Sequence, residues 1–535
     1  MKKLTFGMAL GLSAALIFSA CSQKPSSNNN DSPSNTDTTE TVSNTSGEDE
    51  GFIAIQPVIT SHSFSEMKED GSSYLIDARL DTIALDEESA QYYSALDDGL
   101  RAYSDTRLSA FQENYSSNLE NAKSDFEDGL LGEMYYEDES SITIQRVDEQ
   151  VFSFSENLSS FTGGAHGNYG TTGTTFDTQT GKELDISDVV TSTKDLIPVL
   201  KERLKTDYPD TAFFDLDETL QAYIDEPETY QFCWYMTSEG ITFVFNPYEL
   251  ASYADGSQTV DLSFYDYPDL FTDTYKASTG AFVTELSFWA DRSDTDIDLD
   301  RDGTSETIHL SAETDEYMYS SATFSYNDHS YKLEEYFNNM DAKLVHTKDG
   351  KNYIYAFLHE DNDYTVLKVM EITDDAITCS GDMQGAEPYE YLGSDENDNP
   401  SWNTYPFVSP NGFILSTRLD SLSTYDGVKN YTVGDNGVPV ASDDYYRVMS
   451  GITLTAKKDF ETQEVDYSTN ELGNTSTVSA GEKLTFFRTN GKDTVIFQKE
   501  DGTYVGIKYE IDDDFNRLIN GENADDLLDG MMYAG

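Results

Sequence analysis

FIAIQPVITSHSF (52–64) and YLIDARLDTIAL (74–85) carry alternating apolar positions and β-branched side chains, a pattern that predicts two successive strands. The period then changes. Leu108, Phe111, Tyr115, Leu119, Ala122 and Phe126 repeat at spacings of three and four, which draws one apolar stripe along a long helix. Strand character returns in SITIQRVDEQVFSFSENLSSF (141–161) and again in GTTGTTFD (170–177). Asp185 or Ser187 in DISDVV offers a cap for the helix expected over LIPVLKERLKTDY (196–208), and ITFVFNPYELASYADG (241–256) reads as a last strand and a turn. Helices interspersed among strands without strict alternation predict an α+β fold for an N-terminal domain, 51–270. Beyond it, KLVHTKDGKNYIYAFLHEDNDYTVLKVMEIT and GFILSTRLDSL alternate strand and turn signals, so 281–450 is expected to be a β-rich domain, with a further β domain and tail at 451–535.

The ends of this pattern bear on location. The chain opens MKKLTFGMALGLSAALIFSAC, with Lys2 and Lys3 before an apolar run from Leu4 to Phe18 and the small pair Ser19-Ala20 before Cys21. That is the plan of an export signal, 1–20, and its apolar run is too short to span a bilayer, which takes about 20 residues. FSAC resembles the lipobox of bacterial lipoproteins, with Phe18 in place of the usual leucine, and this implies a lipid anchor on Cys21 at the outer face of the cell membrane. Residues 21–50 contain Val42 as their sole aliphatic side chain, so they cannot bury enough apolar surface to offset the entropy of ordering and are expected to form a disordered tether.

Composition narrows the functional classes. Acidic residues number 100 against 33 basic ones, a net charge of −67, and the acidity is global: 51–270 and 271–535 each carry −32. Such a field excludes nucleic acid as a partner, attracts cationic proteins and concentrates divalent cations. Cys233 and Cys379 are the cysteines left after Cys21, too few for a disulfide framework or a cysteine-rich zinc site, and the expectation is two buried free thiols.

FTGGAHGNYGTTGTTFDTQTG (161–181) sets His166 in the tightest glycine cluster of a chain with six histidines. No second titratable group adjoins it, so a catalytic role is not supported. Gly163, Gly164 and Gly167 instead suit a turn with positive φ or the close approach of another strand. Gly163, Gly164, His166, Asn168 and Tyr248 are the candidate ligand-contacting residues.

The glycine-rich motif, extended as FTGGAHGNYGTTGTTFDTQTGKELDISDV, and the later ITFVFNPYELASYADGSQTVDLSF together resemble the RsiV-like extracytoplasmic domain, found in lysozyme-sensing anti-sigma factors and appended to the peptidoglycan deacetylase PdaC. The resemblance covers about residues 52–270. It implies an α+β fold, a cell-envelope role and a protein-recognition surface for lysozyme or a cell-wall glycan. The usual transmembrane helix and the sigma-binding segment have no counterpart here, nor does the deacetylase histidine pair.

In DIDLDRDGTSETIHL, Asp298, Asp300 and Asp302 stand at alternate positions, followed by Gly303, Thr304 and Glu306. Hard oxygen ligands at loop positions one, three and five, a carbonyl from Thr304 and the Glu306 carboxylate can surround calcium, the expected cofactor. AFVTELSFW and TIHLSAE are the strands expected on either side. Further on, VSAGEKLTFFRTNGKDTVIFQKEDGTYVGIKYE is similar to a bacterial SH3-like small barrel, with Phe486 and Phe497 as its core. Two functional classes remain: a lipid-anchored binding or sensing protein without enzymatic activity, and an envelope hydrolase using a pair of carboxylates on peptidoglycan or glycan.

Overall fold

The structure, a computed structural model, describes residues 54–533 apart from 70, 277–279, 287–291, 301–303, 316, 361–363, 395–399 and 450. Cys21, the tether and Asp302 lie outside the described residues.

Strands β1 (Pro57–Met67) and β2 (Tyr74–Leu85) form an antiparallel pair, and the chain then passes through α1 (Glu87–Tyr92) and the 34-residue α2 (Ser94–Glu127). Because α2 carries the chain back across the sheet, β3 (Tyr136–Val147) joins β2 in parallel, with Ile76 opposite Tyr136. Antiparallel β4 (Val151–Phe161) and β5 (Asn168–Asp177) complete the order β1-β2-β3-β4-β5. The apolar stripe of α2 extends further back than its sequence period implied: Leu96 and Leu100 are buried against Ile83, Phe152, Phe154 and Phe176, whereas Phe126 at the far end stays 38% exposed.

After β5 come α3 (Ile186–Val189), α4 (Thr193–Asp207) and α5 (Leu216–Asp225), then the antiparallel sheet β6 (Cys233–Met236), β7 (Gly240–Phe245) and β8 (Gln258–Ser263). Asp185 does cap a helix, in a reciprocal box with Asp188, but that helix is the single turn α3, and α4 starts afresh after Ser192. Leu196, Leu200 and Leu204, four residues apart on α4, pack with Leu220 of α5 onto Phe243, Val260 and Leu262. This unit is fastened to the first sheet at β6. Met236 N donates to Ser153 Oγ (2.9 Å), and a Cβ on Gly173 would lie 2.0 Å from Trp234 O, so only glycine lets β5 and β6 close.

The β-rich half begins with α6 (Asp273–Lys276) and β9 (Phe282–Leu286). A four-stranded sheet, β10 (Arg292–Ile297), β11 (Glu306–Thr314), β12 (Tyr319–Tyr326) and β13 (His329–Leu333), faces a five-stranded one in the order β17-β16-β15-β14-β9. Its members are β14 (Asn339–His346), β15 (Asn352–His359), β16 (Thr365–Thr373) and β17 (Ala376–Gln384). The near-continuous apolar run of β15 has a simple cause: both of its faces are covered. Ile354, Ala356 and Leu358 face the four-stranded sheet, while Tyr353, Tyr355 and Phe357 face Phe407, Phe413 and Leu415.

Those last residues flank or belong to β18 (Glu387–Ser394), β19 (Pro400–Tyr405), β20 (Phe413–Asp420) and β21 (Thr424–Val433). β19 pairs with β1, Thr404 opposite Ile59, so the first sheet is continued by strands from the second half of the chain. Strands between Pro439 and Asp529 close a last core around Leu454, Phe486, Val495 and Phe497, the two phenylalanine rings 4.6 Å apart. Leu422 and Tyr425 share that core, so the packing runs across residue 450. Both described cysteines are free thiols, but Cys233 is half-buried and Cys379 exposed, which corrects the expectation that they are buried. Among the described residues no helix is long and apolar enough to cross a membrane.

Candidate functional site

A cleft of about 280 Å³ opens where α2, the ends of β3 to β5 and the turn after β7 meet. Its wall carries Arg107 of α2, whose guanidinium grips Glu156 through Nη2 (2.6 Å to Oε1) and Nε (3.1 Å to Oε2). Tyr103 (2.9 Å) and Ser140 also donate hydroxyls to Glu156, which is only 2% exposed. Glu156 is thus saturated with donors and cancels the arginine charge, so this pair braces the wall.

Two other carboxylates face the cleft. Burial pushes Asp138 up to about 6, against the opposing pull of Arg107. Glu249 is also raised by burial, although the Tyr223 hydroxyl, donating at 3.1 Å, favours its charged form.

The rim is aromatic. Tyr169, Tyr248 and Tyr253 line it: Tyr253 lies 5.5 Å from Tyr169, edge to face, and 5.7 Å from Tyr248. Tyr248 is 58% exposed and holds a φ of 73°, a left-handed conformation that a bulky residue seldom adopts and that here turns its ring outward at the rim. Local rules build this turn. Asn246, buried at the end of β7, donates from Nδ2 to Thr171 O (3.0 Å) and accepts at Oδ1 from Thr171 N (2.7 Å), while Ser252 and Asp255 form a reciprocal cap around the short 3-10 turn at Tyr253–Asp255. The Tyr253 hydroxyl then donates to Gly167 O (2.8 Å). The two motifs that stood about 80 residues apart in sequence therefore meet along one seam.

Of the candidate residues, Asn168 and Tyr248 line the cleft directly. His166 sits beside it, stacked on Tyr253 at 4.2 Å, with Nδ1 at 2.8 Å from Gly167 O. Gly163 and Gly164 do not line it; with φ of 88° and 98° they make the turn that delivers His166, and Gly167 passes so close to Ser160 O that a Cβ would stand 2.7 Å from it. Arg107, Asp138, Tyr169, Glu249 and Tyr253 were not singled out by the sequence. Tyr169, Glu249 and Tyr253 lay inside the quoted motifs, whereas nothing local marks Asp138 among so many acids.

The acidic loop occupies the β10–β11 hairpin. Carboxylate oxygens of Asp298, Asp300 and Glu306 come within 4.8 Å of one another, with Asp298 buried, and Glu306 Oε2 accepts from Leu299 N (2.9 Å). Asp298 N donates to Glu239 Oε2 (3.0 Å), an acid from the β6–β7 turn that sequence reasoning missed. The strand before the loop is β10, which pairs with β11; AFVTELSFW instead contributes β9, which pairs with β14 in the other sheet. Thr304 lies in the described part of the loop, and this set of oxygens has the hard character that calcium takes.

Residues 187–265 match the family model described as "Protein of unknown function (DUF3298)". Two solved structures are similar to part of the chain. A member of the DUF3298 family from Bacteroides fragilis NCTC 9343 is 17% identical, covering 40% of this chain and 94% of that one, with a TM-score of 0.29. A DUF3298 family protein from Pseudomonas aeruginosa PAO1 is 16% identical, with the same coverages and a TM-score of 0.27. No curated protein matches the chain. The chain thus carries a DUF3298 domain at 187–265, and the turn that bears Tyr248, Glu249 and Tyr253 is that domain's contribution to the cleft.

Proposed function

We propose that this protein is a lipid-anchored binding protein on the outer face of the bacterial cell membrane, and that its cleft seats a basic side chain of a lysozyme-class partner. The observation that carries the reading is the set of two partly desolvated carboxylates, Asp138 and Glu249, beneath a rim of exposed tyrosines. A guanidinium or ammonium entering the cleft restores the charge stabilisation that burial has removed from both acids, and tyrosine faces attract the same cation. Tyrosine also supplies large contact area at little conformational cost, which suits a protein-recognition surface. The net charge of −32 over 51–270 steers a basic partner toward this face, and the RsiV-like resemblance of the two motifs that build the cleft points to the same class of partner.

The test is a titration of the full chain with lysozyme and with an unrelated small basic protein, at low and physiological salt. Lysozyme is expected to bind at physiological salt and to lose at least tenfold in affinity with Tyr248→Ala. Equal affinities for both proteins that vanish together at physiological salt would reduce the attraction to screened charge and sink the reading.

A second reading draws on the same acids: a carboxyl held near 6 in one cleft with another raised carboxyl is also what a glycan hydrolase needs for general acid work. Turnover of peptidoglycan that is lost in Asp138→Asn would favour it over pure binding.

A further inference from the structure

A second cleft, of about 510 Å³, lies between the first turn of α1 and the sheet formed by β18 to β21. One wall is acidic, with Asp86, Glu87 and Glu88. The other carries Tyr389, Tyr405 and Arg447, and its floor is apolar, from Ile414 and Val428. Asp86 is engaged as the cap of α1, accepting from Ser89 N (2.8 Å), which holds the acidic turn against the cleft.

Two donors on the basic wall stand out. Tyr389 is 2% exposed, yet its hydroxyl has no hydrogen-bond partner among the described residues, and neither has the shielded Nε of Arg447. Arg447 is positioned through its other end, Nη2 donating to Asn430 Oδ1 (3.1 Å), so the Nε–H is left directed elsewhere. Burial pushes the Tyr389 phenol up, which keeps it protonated and able to donate. Two adjacent buried donors without acceptors are uncommon in a folded protein and call for an oxygen group that serves both.

We propose that this cleft binds a small zwitterion of the α-amino acid type, its carboxylate received by Arg447 and the Tyr389 hydroxyl and its ammonium by Glu87 and Glu88. A carboxylate is the acceptor that suits a guanidinium N–H and a phenol together. A ligand bearing only negative charge would be opposed by the three acids across the cleft and by the field of a chain at −67. A ligand bearing only positive charge would leave Arg447 facing it. A zwitterion meets both walls, and the paired rings of Tyr389 and Tyr405, 5.2 Å apart, with Ile414 and Val428, offer an apolar bed for its side chain. The volume falls in the range of small-molecule sites, roughly 300–1,000 Å³. The same chemistry is presented by a free amino acid and by the two ends of a dipeptide.

The experiment is calorimetric titration of the full chain with leucine, leucine amide, N-acetyl-leucine and a leucine dipeptide. Leucine or the dipeptide is expected to bind, the stronger of the two telling which source the cleft prefers, and the two blocked analogues to bind at least tenfold more weakly. Tyr389→Phe is expected to weaken the zwitterion about tenfold without lowering the melting temperature, since it removes an unpaired donor and keeps the ring. Arg447→Gln is expected to abolish binding. If no member of the panel binds, or if Tyr389→Phe binds as the parent does, the assignment is overturned; the phenylalanine variant keeps the test valid even where the arginine variant fails to fold.

Discussion

The imidazole of His166 lies stacked on the ring of Tyr253, 4.2 Å between centroids and 26° between planes, while the Tyr253 hydroxyl holds the neighbouring Gly167 carbonyl at 2.8 Å. A glycine loop and a turn from the DUF3298 domain are thereby locked into one surface at the cleft mouth. The histidine acts there as a ring, with its Nδ1 turned back to the same Gly167 carbonyl.

His166→Ala is accordingly expected to cost about 0.5–1 kcal/mol, the worth of an exposed aromatic pair. His166→Phe should recover most of that, because it keeps a ring on Tyr253. Urea unfolding midpoints of the two variants decide it: equal losses in both would mean that stacking is not what the residue provides.

Binding of a basic partner should depend on pH through Asp138. Its folded-state value, near 6, lies above the ordinary 3.8, so between these values the folded protein holds a proton that the unfolded chain has released. Stability contributed by this group therefore grows as pH falls through about 6, whereas affinity for a cation, which needs the carboxylate, is full above that pH and is lost on the way down. Asp138→Asn should flatten the affinity profile between pH 5 and 7 and weaken binding at pH 7 about tenfold. A profile unchanged by the substitution would remove Asp138 from the site.

Gly173→Ala should be far more damaging than Gly164→Ala, because its methyl group meets the Trp234 carbonyl, backbone against backbone, at 2.0 Å. The strands must part, at a cost of about 1–3 kcal/mol or more. Gly164→Ala meets nothing within 4 Å and suffers only its φ of 98°, so about 1 kcal/mol is expected. Thermal unfolding of both variants, with Trp234 fluorescence as a local reporter, checks the order.

Calcium should raise the melting temperature if the β10–β11 loop gathers an ion, since the oxygens of Asp298, Asp300 and Glu306 converge only in the folded state. Asp300→Ala should abolish the shift. Scanning calorimetry with and without calcium reads it directly, and an equal shift in the variant would place the ion elsewhere.

Cys21→Ala should release the protein into the medium, given the charged and apolar leader that ends at Ser19-Ala20. Fractionation of cells carrying the variant tests this; retention in the membrane fraction would contradict lipid anchoring.

Period and composition marked the first strands, the long helix and the strands over 141–161 and 170–177, because alternation and the three-four stripe are local consequences of backbone geometry. They also marked the two motifs that build the cleft and the acidic hairpin loop, since glycine turns and alternate aspartates are local as well. They could not say that Asp138 is the acid to notice: it is one of 100, and only the packing of α2 against β3 withdraws it from water. Nor could they show that β19 lies beside β1, or that Asp86 and Arg447, 361 residues apart, face each other across a cleft, because strand partners distant in sequence leave no local trace. Those relationships are decided by which apolar faces remain uncovered once the local elements have formed. In this chain the tertiary structure therefore withdrew particular acids from water and set β1 beside β19, 343 residues apart at Thr60 and Asn403.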